Sequence, residues 1–351
     1  MDRFLPQNDS TAKFIAERAE ELYHRLRSID FDSLGMPDHC LQYLKSSHTH
    51  RLFFSIETSA HLLYRAINLK GKKISDIVLM DYGAGVGTLF LLAKMIGCRH
   101  VIYNDHLADW QTSARLMAEA ANIAIDDYIV GDIGECLQIL REKGVSCDII
   151  TSRNVIEHIY KLEEFYGQLY SMQPDAIIYS STTANISNPA SVIKHRLWHR
   201  RWEKVFKGKR LAVIRREFPA IAPVDAQKLA TATRGKAVSE LTEAINQFRD
   251  DGSLPDPSIF GSNTCDPDNG VWAEHLLSKK QYRQLINTNH YRVTFAPGFW
   301  DTHYSKWYMN KAGRMFNAII ARNSGSAMRV APFIYVVAEP VKTISHEHRP
   351  G

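Results

Sequence analysis

Ile77-Val-Leu-Met80-Asp81-Tyr-Gly83-Ala84-Gly85-Val-Gly87-Thr88-Leu89-Phe-Leu-Leu-Ala93 is the stretch on which the reading of this chain turns. An apolar run suited to a buried strand enters three alternating glycines and then a second apolar run of helical composition. Glycine has no Cβ, so the turn can be sharp and a ligand can lie against bare backbone. The helix that follows offers the unsatisfied N–H groups of its first turn. The stretch predicts strand, tight turn and helix, with a nucleotide-like cofactor at the turn.

Spacing narrows the cofactor. The dinucleotide fingerprint is G-x-G-x-x-G/A; here the glycines run G-x-G-x-G, and Thr88 stands where the third small residue would fall. After a helix expected over 88–96, Arg99-His-Val-Ile-Tyr103 reads as a second strand ending in Asn104-Asp105. An acid about 20 residues past the glycines is where a carboxylate holds a ribose diol, and Asp105 fits. A helical stretch over 109–121 leads to Tyr128-Ile-Val130 and Gly131-Asp132. Cys147-Asp148-Ile-Ile-Thr151 then leads into Ser152-Arg-Asn154-Val-Ile-Glu157-His158-Ile159. Four strand tips, each followed by polar residues, describe the carboxyl edge of a parallel α/β sheet, where ligands bind.

From about residue 76 to 182 the chain resembles the class I S-adenosylmethionine-dependent methyltransferases. The resemblance is carried, in order, by Asp81-x-Gly83-x-Gly85-x-Gly87, Asp105, Gly131-Asp132 and Asn154-Val-Ile-Glu157-His158-Ile159. It implies an α/β, Rossmann-like seven-stranded sheet with helices on both faces, the last strand antiparallel, and S-adenosyl-L-methionine as cofactor. It implies that the loop from Asp81 through Gly83, Gly85 and Gly87 flanks the methionine part. Asp105 would hold the ribose hydroxyls and Asp132 the adenine amino group, while the residues after Thr151 would face the methionine end and the acceptor. Ala84, His106, Ile133 and Asn154 complete the implied cofactor-binding set. Lys279 to Asn287 reads as a helix, Tyr291 to Phe295 as strand six and Phe333 to Val337 as strand seven.

Composition sets the bounds. The chain has 351 residues, 45% hydrophobic and 23% charged, enough for one large core with an appended module. No apolar run approaches the roughly 20 residues of a membrane span, and the first eight residues lack a signal-peptide core. Five scattered cysteines without a C-x-x-C pair suit reduced thiols in a cytoplasmic compartment. A net charge of +5 allows an anionic substrate and does not establish a nucleic-acid partner.

The organisation expected is a helical lid or cover over 1–70, a cofactor-binding core over 71–185, a substrate-recognition insertion after strand five over 186–275, the returning part of the sheet over 276–340, and a flexible tail over 341–351 that holds His346 and His348. In the first segment Phe14, Ile15, Ala19, Leu22 and Leu26, then Phe53, Ile56, Ala60, Leu63 and Ile67, recur at helical spacing. The insertion opens on a basic, aromatic stretch from Lys194 to Arg216 that includes Trp198 and Trp202. Three readings compete there. Arginines could grip phosphate or carboxylate of an anionic acceptor while the indoles stack on a sugar or ring, the same residues could hold a nucleic acid, or the helix is solvated and its tryptophans, four apart, pack inward. The turn-rich segment that follows ends in Trp272-Ala-Glu274-His275, as pocket lining or as structure.

The implied donor carries an activated methyl group, so the protein mainly supplies positioning. A hydroxyl acceptor also needs a base. His158 is the first candidate, with Glu157 beside it and His195, His199 and His275 as alternatives from the insertion; packing is the competing role for each. No compact metal-ligand set is evident. By the same resemblance, no proline follows Asn154 as in base-amino methyltransferases, no Pro-Cys dipeptide is present, and no paired-glutamate loop follows strand four. The expected acceptor is an O or N atom of a small molecule or glycan, with an anionic or phosphorylated one among the options. The alternatives are a cofactor-binding scaffold without chemistry and an NAD(P)-dependent oxidoreductase.

Overall fold

The computed structural model describes residues 5–257, 261–322 and 325–341; His346, His348 and nearly all of the expected tail lie outside the described residues. Seven strands are present: β1 (Val78–Tyr82), β2 (His100–Asp105), β3 (Asp127–Val130), β4 (Ile149–Arg153), β5 (Ile177–Thr182), β6 (Tyr291–Pro297) and β7 (Ile334–Pro340). They form one sheet in the order β3-β2-β1-β4-β5-β7-β6. The first five run parallel, and β7 is antiparallel to both neighbours. Strand seven runs to Pro340 rather than Val337 because Tyr291 of β6 pairs with it there.

Helices α1 (Ser10–Arg27), α2 (Asp38–Tyr43) and α3 (Leu52–Lys70) precede β1, and α4 (Leu89–Met95), α5 (Ala108–Ala120), α6 (Ile133–Glu142) and α7 (Leu162–Met172) follow β1 to β4 in turn. Between β5 and β6 lie α8 (Pro189–Glu217), α9 (Pro223–Ala232), α10 (Val238–Asp251) and α11 (Lys279–Asn287); α12 (Trp307–Ala321) and α13 (Ala327–Val330) precede β7.

Side chains of a strand alternate between faces, and the two cores divide accordingly. Leu79, Ile149, Tyr179 and Tyr335 join Ile15, Leu22, Leu63, Phe90 and Met117 on one face, so the N-terminal helices cover α4 and the sheet beside it. Met80, Ile150, Ile178 and Val336 join Leu137, Phe165, Leu169 and Tyr282 on the other.

The insertion carries its own small core, in which Val213, Ile214, Leu229, Leu241 and Ile245 join α8, α9 and α10. Helix α8 starts at Pro189, preorganised for a first helical position, with Asn188 capping Ala190 N at 3.0 Å. It stops at Phe218, whose extended backbone (φ −131°) is what a following proline imposes.

Candidate active site

The glycine loop is tied to the tip of β2. Ala84 N donates to Asn104 O at 3.0 Å and Gly87 N to Ala84 O at 2.8 Å. Gly85 N donates to Asp105 Oδ2 at 2.9 Å, and the Tyr103 hydroxyl donates to Gly85 O at 3.0 Å. Gly83 has φ +64°, and a Cβ there would stand 2.7 Å from Val155 Cγ2, so this position requires glycine on both counts.

Asp81 lies beneath the loop rather than on an open wall. It is 3% exposed, and its carboxylate accepts from Phe90 N at 3.2 Å and from the Thr151 hydroxyl at 3.1 Å. Burial pushes its carboxyl up to about 7, against the field of Arg153. The Arg153 guanidinium donates to Ser55 O at 3.0 Å, to the Ser59 hydroxyl at 2.5 Å and to the Thr88 hydroxyl at 3.4 Å. One buried polar hub thus fastens α3 to β4 and to the end of the glycine loop.

A cavity of about 600 Å³ opens over the carboxyl ends of β1 to β4. Gly83, Asn104, Asp105 and His106 form one wall; Asp132, Ile133, Phe165 and Gln168 form the next. Asn154, Val155 and His158 to Lys161 face them, and Asn269 to Val271 of the insertion close the far side. Each oxygen of the Asp105 carboxylate accepts one main-chain N–H, from Gly85 at 2.9 Å and from Leu107 at 3.3 Å, which leaves acceptor capacity on both. Its contact with His106 Nδ1 at 3.2 Å raises the pKa of that histidine. Asp132 caps α6, accepting from Glu135 N at 3.0 Å. Asn154 takes a left-handed backbone (φ +55°), which Asn tolerates better than most residues.

The segment after β4 is stitched to the insertion. His158 Nδ1 bonds the Trp272 carbonyl at 2.8 Å. A carbonyl can only accept, so Nδ1 carries the proton, and in the neutral ring Nε2 keeps its lone pair. Trp272 N returns a bond to His158 O at 3.2 Å, and His275 N bonds Glu157 O at 2.8 Å. Tyr160 stacks on Trp272 with ring centroids 5.7 Å apart and donates its hydroxyl to Glu240 of α10.

The other candidate bases sit behind this wall. Glu157 is fully buried, and desolvation raises its pKa. His195 sets Nδ1 on the Ser191 carbonyl at 2.7 Å and Nε2 on the Glu274 carboxylate. His199 bonds the Ser262 hydroxyl and the Glu274 carbonyl, both at 3.0 Å, and burial holds it down to about 4. His275 bonds the Ile159 carbonyl at 3.0 Å and is likewise held down to about 4 by burial. These three insertion histidines fasten the module; of the five candidates, the described cavity wall includes His158. Ala84, Gly85 and Gly87 shape the loop without lining the cavity.

The basic stretch divides as well. Arg210 is fully buried against Glu203 at 2.6 Å and the Ala230 carbonyl at 3.0 Å. Lys209 pairs with Asp266 at 2.7 Å and Asp268 at 2.9 Å. Trp198 and Trp202 are 43% and 44% exposed, so of the readings open for this stretch the one in which they pack inward is corrected. The inward stripe of α8 is taken by His195, His199 and Glu203. The described cavity wall includes no cation of α8.

Tyr82, Tyr160, Phe165, Gln168 and Gly270 line the cavity and were not singled out by the sequence. Gly270 lay within a recognised turn-rich segment; its φ of +73° and a Cβ position 3.1 Å from the Tyr160 ring explain the glycine. Phe165 and Gln168 sit on an ordinary amphipathic helix and carry no signal. Among the described residues, no group of three His, Cys, Asp or Glu is placed to hold a metal ion.

The strand order, the antiparallel β7 and a cavity over the tips of β1 to β4 decide the architecture. It is the class I methyltransferase fold. No protein-family model matches the chain, and no curated protein sequence matches it. Among solved structures, a methyltransferase from Mesorhizobium loti is 12% identical, with 79% of this chain and 97% of that one covered and a TM-score of 0.40. A ribosomal protein L11 methylase from Lactobacillus delbrueckii subsp. bulgaricus is 20% identical over 35% of this chain and 59% of that one, TM-score 0.28. TrmN from Thermus thermophilus is 18% identical over 35% and 38%, TM-score 0.28. The chain spans between 37% and 59% of the length of several solved structures it matches. These likenesses are partial, and the assignment of the fold rests on strand order and register.

Proposed function

We propose that the protein is an S-adenosylmethionine-dependent methyltransferase that delivers methyl, by in-line displacement, to an O or N atom of a small-molecule or glycan-type acceptor. The observation that carries this is the cavity wall, which gathers Asp105, Asp132 and His158 from three different strand ends. Asp105 has acceptor capacity for a ribose diol, and Asp132 and Ile133 at the start of α6 suit an adenine edge. Bound donor supplies a methyl group already activated on a sulfonium. The chain's own part is to hold that donor in register, exclude water and take the acceptor's proton. His158 suits the last task, because its Nδ1–H is committed to Trp272 and Nε2 is free to accept.

The glycine loop argues against a nicotinamide dinucleotide. A pyrophosphate needs free N–H groups at such a turn, whereas Ala84, Gly85 and Gly87 engage theirs with Asn104, Asp105 and Ala84. An anionic acceptor loses its support, since the arginines of α8 do not reach the cavity. Lys161 does reach it, but is paired with Glu164 at 3.0 Å.

The test is incubation of the protein with methyl-labelled donor and a metabolite extract, followed by mass spectrometry. A labelled product that vanishes with His158→Ala supports catalysis at this site. Donor binding with no labelled product in any fraction would favour the scaffold reading instead.

A further inference from the structure

Helix α8 is inverted over its first half. Its inward stripe is polar, with Ser191, His195 and His199 all buried and Glu203 partly so. Its outward surface carries Ile193 (62% exposed), Leu197 (56%) and Val205 (48%), beside the half-exposed Trp198 and Trp202. A solvated helix arranges these the other way round.

The same surface is strongly cationic. Lys194, Arg196, Arg200, Arg201 and Lys204 are all exposed, and Lys194 lies over the Trp198 ring at 4.3 Å. Between Ile193 and Val205 the one acid is Glu203, and it is turned inward onto Arg210 at 2.6 Å. Five cations interleaved with aliphatic and indole side chains on one exposed helix surface combine the two contributions to peripheral binding on an anionic bilayer, attraction to the headgroups and burial of apolar side chains at the boundary. Lysine and arginine stems can lie along the acyl boundary while their heads reach the phosphates.

We propose that this outward face of α8 docks the protein peripherally on an anionic lipid surface. Charge selects this occupant over two others. An isologous contact with a second copy would set ten like charges face to face. A nucleic acid would use the cations and the indoles but has no use for exposed Ile193, Leu197 and Val205. The helix does not cross the membrane, since no described helix is long and apolar enough to do so. The proposal goes beyond the methyl-transfer reading and does not depend on it.

The test is sedimentation of the full chain with vesicles of phosphatidylcholine alone, or of phosphatidylcholine mixed with phosphatidylglycerol. The expected result is pelleting with the mixed vesicles only, weakened by salt. Arg196→Gln/Arg200→Gln/Arg201→Gln should weaken it roughly a hundredfold, about fivefold per cation. Ile193→Gln/Leu197→Gln should weaken it too, with an unchanged circular dichroism spectrum. All five substituted positions are surface-exposed, and donor-product binding should be unaltered in both variants. Failure to pellet, or pelleting untouched by both variants, overturns the proposal. So does a concentration-dependent dimer abolished by Leu197→Gln, or a single-stranded oligonucleotide that binds the face more tightly than the mixed vesicles.

Discussion

His158, in the turn that follows β4, donates its Nδ1 proton across 2.8 Å to the main-chain carbonyl of Trp272 in the insertion. The module grafted after β5 therefore sets the tautomer of a residue on the cavity wall. Main-chain bonds from Trp272 N to His158 O and from His275 N to Glu157 O run beside this bond, so the segment after β4 and the end of the insertion are held as one unit.

If Nε2 is the base, His158→Ala should lower kcat by a factor on the order of 10² to 10⁴ while donor-product affinity stays within about twofold of the parent. Turnover of the labelled product and equilibrium dialysis of S-adenosylhomocysteine measure the two separately. Equal loss of both would make His158 a structural residue.

Asp105→Ala removes a charged acceptor that also anchors Gly85. Donor-product affinity should fall by about 1.5–3 kcal/mol, roughly 10- to 150-fold. Equilibrium dialysis reads this directly, and unchanged affinity would place the ribose elsewhere.

Gly83→Ala brings a methyl group to 2.7 Å from Val155 at φ +64°. Overpacking and backbone strain together should cost about 1–3 kcal/mol. Val155→Ala in the same chain should recover part of this, leaving the strain, as urea unfolding of the four-member cycle would show. A Cβ on Gly85 meets no protein atom within 4 Å, and its φ is +51°. Gly85→Val should thus be felt through backbone strain at this φ, which loosens the bond from Gly85 N to Asp105 and weakens donor binding through that carboxylate.

Two buried histidines and the half-buried His275 have depressed pKa values: His61 down to about 3, His199 and His275 down to about 4, each mainly by desolvation. The unfolded chain binds these protons near the ordinary histidine pKa and the folded chain does not. Their contribution to stability is complete above about 6.5 and is lost as pH falls toward the folded values. Urea midpoints should therefore drop between about pH 6.5 and 4. A His199→Gln/His275→Gln chain should show a shallower acid slope, and an identical slope in both chains would contradict this burial.

The fold was legible because its information is local. Asp81 to Thr88, Asp105 and Asp132 each follow a short apolar run, so strand, turn and acid could be read in sequence order. The helix over Lys279–Asn287 is found where expected, with Ser278 and Gln281 forming a capping box. The cavity wall was legible where it belongs to strand tips. It was not where it depends on distant contacts: Tyr160 lines it because Glu240, Ala237 and Trp272 hold it there. The insertion was the least legible. Arginine content suggested an anion site, yet Arg210 is a buried strut whose partners Glu203 and Ala230 cannot be inferred from composition. Trp198 and Trp202, at a spacing that suggests inward packing, point outward because His195 and His199 occupy the inner stripe.

The central claim is that the cavity over β1 to β4 takes an adenosyl sulfonium donor. Isothermal titration of the full chain with S-adenosylhomocysteine and, separately, with NAD⁺ tests it most directly. The expected result is saturable binding of the first at a single site, weakened by Asp105→Ala, and no heat from the second. Binding of NAD⁺ with none of S-adenosylhomocysteine would contradict it.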